Sequence, residues 1–177
     1  MAVGVDDIKD ARGMAYGDFD NDGDLDIVIN TNPGDSGKSS VPPVLYRNDL
    51  GQSRSWLAVE LVGTQCNREA VGAEVHIRYE PGPDGKPYRA MRHVSVGSGY
   101  ASQNGNRLQF GLGDGHPMVK SLTVRWPGSG EEQTFENVPA NRWVRITEGR
   151  GLEFFDPRRP GSGRERVATG SRPVVEQ

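Results

Sequence analysis

Hydrophobic and polar positions alternate along most of this chain with a period of two. The segment GAEVHIRY (72–79) shows it most cleanly: Ala73, Val75, Ile77 and Tyr79 fall on one side, Glu74, His76 and Arg78 on the other. That pattern predicts a strand with one face buried and the other wet. WLAVELV (56–62) likewise places Leu57, Val59 and Leu61 on one face. LDIVI (25–29), VLYR (44–47), RAMRHVSV (89–96), RLQFGLG (107–113), SLTVRWPGSG (121–130), EQTFENV (132–138) and RWVRITE (142–148) read as further strands. EPGPDGKP (80–87), with Asp84-Gly85 at its tip, reads as the loop of a hairpin between two of them. Helical spacing is scarce and turn signals recur about every ten residues, so the expected class is all-β, a sandwich or barrel.

Composition agrees. Gly (24) and Pro (12) are abundant and only 34% of the 177 residues are hydrophobic, which suits a turn-rich β protein of one medium domain with appendages. After Gly149 the alternation fades into RGLEFFDPRRPGSGRERVATGSRPVVEQ, where six Arg face four acids. Leu152, Phe154 and Phe155 are the groups there that can dock on the body; the rest of this basic tail is expected to be disordered.

The net charge of -3 is unevenly spread: residues 1–50 hold ten Asp, no Glu and four Lys or Arg. An acidic front argues against a nucleic-acid groove there. One cysteine, Cys66, allows no intrachain disulfide. No apolar run reaches the length of a membrane span. The opening MAVGVDDIKDARG lacks the basic and apolar regions of a signal peptide, so an exported protein would carry its leader upstream or have lost it.

The charge concentrates in GDFDNDGDLDIVI (17–29), with five Asp and one Asn between positions 18 and 26. Carboxylates this close raise each other's pKa and repel, unless a cation neutralises them. Counted from Asp18, the pattern is D-x-D-x-D-G-x-x-D. Asp18, Asp20 and Asp22 can curl round one hard cation, Gly23 permits the sharp turn, Asp24 can offer its main-chain carbonyl and Asp26 closes the set. Flexible oxygen-rich coordination favours Ca²⁺ over Mg²⁺. An EF-hand is excluded: its twelfth position should be Glu and is Ile29, and strand-like residues follow where a helix is needed.

GDFDNDGDLDIVI followed by VLYRND resembles the calcium-binding FG-GAP or VCBS-type repeat, a blade of β-propellers. The resemblance implies metal ligands at Asp18, Asp20, Asp22 and Asp26, with Asp24 through its carbonyl, over residues 1–50. The chain holds no second copy. WLAVELVGTQCNREAVGAEVHI, SGYASQNGNRLQFGLG and VRWPGSGEEQTFENVPANRWVRITEG resemble an ASPIC/UnbV domain over residues 56–149. That domain follows a run of such repeats in the cartilage acidic protein-like family, which implies that this chain is the C-terminal part of a longer protein or a reduced version of one. The expected architecture is a β-sandwich-like domain with a partial propeller-type blade before it and the tail, 150–177, after it.

Other chemistry is weakly signalled. NPGDSGKSS (32–40) ends in Gly37-Lys38-Ser39, but Asn32 stands where a phosphate-binding loop needs its first Gly, and Pro42 and Pro43 oppose the helix that must follow. His76, His93 and His116 are far apart and read as solvated; Cys66 reads as a small half-buried thiol. Trp56, Trp126 and Trp143 sit at strand edges and suit either core packing or a sugar platform. No G-x-S-x-G elbow exists, and nothing singles out Glu60, Glu69, Glu74 or Glu80 for glycosidase chemistry. The function these features favour is a non-catalytic, extracellular or cell-surface Ca²⁺-binding adhesion module with a protein or carbohydrate ligand. A catalytic or accessory domain of a secreted biosynthetic or carbohydrate-active protein, and a self-associating subunit of a surface assembly, are the alternatives.

Overall fold

The computed structural model describes residues 10–32, 41–80, 86–159 and 165–167, with the backbone alone for Gln52 and 165–167. Its strands are β1 (Asp10–Gly17), β2 (Asp26–Asn32), β3 (Val44–Tyr46), β4 (Ser55–Val62), β5 (Glu74–Tyr79), β6 (Tyr88–His93), β7 (Leu108–Gly113), β8 (Met118–Arg125), β9 (Glu132–Pro139), β10 (Arg142–Thr147), β11 (Leu152–Phe155) and β12 (Glu165–Val167). One short 3-10 turn, Gly51–Ser53, precedes β4, and no α-helix occurs among the described residues. The all-β class is as the alternation predicted.

Three sheets form. The β4 sheet runs β12-β11-β10-β4-β7, the β5 sheet runs β6-β5-β8-β9, and a small sheet runs β1-β2-β3. The first two close on each other as a sandwich. Leu57, Val59 and Leu61 of β4, Phe110 of β7 and Val144 and Ile146 of β10 meet Val75 and Ile77 of β5, Leu122 and Val124 of β8 and Phe135 of β9 in one apolar core. Each of these side chains is nearly or fully buried, and each contributes about 1.5–3 kcal/mol by leaving water. Trp126, 1% exposed, belongs to this core. The alternation in β5 appears as expected, with Val75, Ile77 and Tyr79 inward and His76 and Arg78 exposed.

Most neighbours in the sandwich are antiparallel, but β4 and β10 pair in parallel, with Leu57 beside Arg142 and Val62 beside Thr147. At its end this pair is closed by Glu148, only 2% exposed. The Glu148 N–H donates to the Val62 carbonyl at 2.9 Å. Its carboxylate Oε2 accepts the consecutive N–H groups of Thr64, Gln65 and Cys66 at 2.7, 2.7 and 2.9 Å. Burial pushes this carboxyl up, but the three amides outweigh it and hold the group below its ordinary value of 4.5.

One expectation changes. β4 is buried on both faces, not one: Trp56 and Ala58 form a second small cluster with Trp143, against which Phe155 packs. The reason is its place inside the sheet, with the acidic loop covering its far side. The tail also continues the fold. β11 pairs with β10, and β12 pairs with β11, so the sheet runs past residue 149. Leu152 is 2% exposed in the main core, and Phe154 and Phe155 dock beside it. Asp84-Gly85 and Gly37-Lys38-Ser39 lie outside the described residues.

Candidate metal centre

The acidic loop is the connection between β1 and β2, which pair antiparallel from Asp10–Asn32 to Gly17–Asp26. Asn21 and Gly23 take left-handed backbone angles, φ 57° and 105°, and these are the two residue types that accept such angles at least cost. The turns curl the chain back on itself. The Asp22 N–H donates to Asp18 Oδ1 at 3.0 Å, and the Asp24 N–H to Asp22 Oδ1 at 3.1 Å. Asp18, Asp20 and Asp22 thereby each present a carboxylate oxygen within 4.8 Å of the others.

Asp24 and Asp26 are placed differently. Both are buried, at 6% and 1% exposure. Asp26 accepts the Phe19 N–H on Oδ2 at 3.0 Å and the Asn48 N–H on Oδ1 at 2.9 Å, so it ties the loop to the chain two residues past β3. Each of its oxygens keeps a further lone pair for a cation. The Asp24 side chain lies against Gly51, where an added Cβ would overlap it; sequence reasoning assigned no role to that glycine.

Burial pushes the Asp18 carboxyl above its ordinary value, and the nearby Asp22 carboxylate adds to this. The Trp143 indole, the Asp22 amide and the Arg107 charge offset it in part. The Trp143 N–H lies near enough to favour the anion yet outside hydrogen-bond geometry, so Asp18 Oδ2 and Trp143 Nε1 are both buried without a hydrogen-bond partner. From solvent, Arg47 approaches Asp20 at 4.0 Å while pairing with Asp49 at 2.7 Å; at such exposure these pairs are worth little. A cluster of hard oxygen donors with an orphaned buried carboxylate oxygen fits a hard divalent cation.

The loop is seated on the β4 sheet. Gly23 rests on the Trp56 ring so closely that a Cβ there would overlap it. Trp56 and Trp143 meet edge to face, centroids 4.7 Å apart. The Gln109 amide donates to the Gly23 carbonyl, Arg107 Nη1 donates to Asn21 Oδ1 at 3.0 Å, and the Tyr16 N–H donates to Asn104 Oδ1 at 3.0 Å. These supporting residues were invisible in the sequence except as strand-edge tryptophans, because each meets the loop across a long stretch of chain.

The remaining candidates do not assemble into a site. His76 is exposed beside Glu74 at 3.3 Å, and His116 packs on Tyr79 with centroids 4.9 Å apart. Cys66 is half-buried, its thiol donates to the Asn67 carbonyl at 3.4 Å, and burial pushes its pKa up. No described helix is long and apolar enough to cross a membrane.

Comparison with known proteins adds the family. The model for "ASPIC and UnbV" matches residues 63–153, which run from just after β4 to the start of β11. Cartilage acidic protein 1 of Mus musculus is 31% identical over 116 residues, covering 65% of this chain and 16% of that protein. Cartilage acidic protein 1 of Xenopus tropicalis is 31% identical over 121 residues, covering 67% of this chain and 17% of its own length. The chain thus spans about one-sixth of the length of the curated relatives it matches. By the match across its sandwich, this chain belongs to the ASPIC and UnbV family.

Proposed function

We propose that the chain is a non-catalytic, extracellular Ca²⁺-binding interaction module in which calcium acts structurally. The carrying observation is the convergence of the Asp18, Asp20 and Asp22 carboxylates within 4.8 Å. Their side chains would hold the ion, joined by Asp26 and by the Asp24 carbonyl. The ion supplies positive charge to a loop that otherwise concentrates carboxylates. The resemblance of this loop and its flanking strands to an FG-GAP or VCBS-type repeat supports the same reading. Millimolar calcium outside cells matches the weak affinities of extracellular modules, about 10⁻⁴–10⁻³ M.

The test is thermal unfolding of the full chain in chelator and in millimolar Ca²⁺. Binding to the folded state alone stabilises it by about 0.4–1.4 kcal/mol at one to ten times Kd, so the melting temperature should rise, and less so with Mg²⁺. Identical curves in chelator and calcium would falsify the reading.

A further inference from the structure

We propose that the cavity between the acidic loop and the β4 sheet binds an acidic saccharide, a sugar chain bearing uronate carboxylates. The proposal rests on the reading of the chain as a binding module and names its ligand class. The cavity measures about 560 Å³, within the range of small-molecule sites. Its walls come from both parts of the molecule: Tyr16 and Phe19 from the small sheet and its loop, Arg68, Glu69, Asn106, Arg107 and Gln109 from the sandwich side.

Three polar atoms of these walls are buried without a hydrogen-bond partner: Asn106 Oδ1, Arg107 Nε and Gln109 Oε1. Two are acceptors and one is a donor. Asn106 is turned this way because its amide Nδ2 donates to Glu69 at 3.2 Å, which leaves the carbonyl oxygen over. Arg68 makes no ion pair among the described residues, whereas Glu60, also in the wall, is already paired with Arg145 at 2.8 Å. At the rim the Phe19 ring is 53% exposed and Tyr16 is 43% exposed.

The ligand that matches has hydroxyls to donate to the two amide oxygens, a carboxylate for the guanidinium groups, and a flat apolar face for the aromatic rim. A pyranose uronate carries all three on one rigid ring. A purely apolar ligand would leave the polar walls unmatched, and a simple inorganic anion would leave the aromatics unused. Calcium at the neighbouring carboxylates would neutralise Asp18, which also lines the cavity, and so remove a repulsion against an anionic sugar.

The experiment is isothermal titration calorimetry of the full chain with trigalacturonate, with neutral cellotriose and with sodium sulfate, each in Ca²⁺ and in chelator. Trigalacturonate should bind, more tightly in Ca²⁺, with cellotriose and sulfate at least about tenfold weaker. Arg68→Ala and Phe19→Ala, both on exposed side chains and checked for unchanged melting, should each weaken it about tenfold. No trigalacturonate binding, equal binding of cellotriose or sulfate, or indifference to both substitutions would overturn the assignment. Melting read on the same samples separates the two ideas. A calcium shift without saccharide heat overturns the saccharide site alone, and saccharide heat without a calcium shift upholds that site while overturning the calcium reading.

Discussion

The small sheet and the sandwich are built from the same kind of strand but held together by different forces. The sandwich buries Leu57, Val59, Val75, Leu122, Val124, Phe135 and Val144 to 3% exposure or less. Among the described residues of β1, β2, β3 and the acidic loop, no large apolar side chain is buried; the buried side chains there are Asp24, Asp26 and Thr31. Met14, Phe19 and Leu45 are more than half exposed. The sandwich therefore carries its own hydrophobic driving force. The small sheet depends on backbone pairing, on the Asp26 clamp and on its seat against Trp56, and a sheet of three strands with no core is marginal by itself.

The largest break in this contrast should come from the core. Leu122→Ala leaves a cavity between the sandwich sheets and should cost about 2–5 kcal/mol. Ile29→Ala in β2, where the side chain is only half-buried, should cost less than half as much in the same urea titration. Equal losses would mean that the small sheet shares the core after all.

Next is the Glu148 closure. Glu148→Gln leaves three amide donors with a weaker acceptor and should destabilise the fold by about 1–3 kcal/mol. The sign of the pH dependence follows from the depressed pKa. The folded chain holds this proton more weakly than the unfolded chain, so the stabilisation is present above the ordinary 4.5 and is lost as pH falls through the lower folded value. Stability measured from neutral pH down through that range should show the acid loss in the parent, and a flatter profile in the variant.

Gly23→Ala sharpens the comparison most. Its φ of 105° disfavours any side chain, and the added Cβ meets the Trp56 ring. The loop should lift from the β4 sheet at a cost of about 1–3 kcal/mol, with changed tryptophan fluorescence and a lost calcium response, while the far-UV signature of the sandwich persists. The smallest effect belongs to Asn104→Ala. It removes the acceptor of the Tyr16 N–H at the edge of β1 and should cost about 0.5–1.5 kcal/mol, seen as faster hydrogen exchange in β1.

Much of this could be read along the chain. Strands with clean alternation, such as β5, were legible because burial of one face imposes a period of two. The acidic loop was legible because its spacing is local: Asp18, Asp20 and Asp22 reach one another through turns at Asn21 and Gly23 that the sequence itself shows. β1 was hidden, since Asp10, Arg12, Gly13 and Gly17 interrupt any alternation and its partner supplies the order. β11 and β12 were hidden as strands because their order comes from pairing in series, β11 with β10 and β12 with β11.

By itself, then, the chain's sequence determined what depends on neighbours in the chain: the all-β class, the register of inward and outward side chains, and the cluster of carboxylates. The tertiary structure alone decided the parallel pairing of β4 with β10, the three amides gathered by Glu148, the Trp56 seat beneath Gly23 and the cavity walled by Phe19 and Arg107. Each of those joins residues far apart in the chain, where contact is set by which surfaces can bury apolar area and satisfy polar groups together, and no local pattern records that choice.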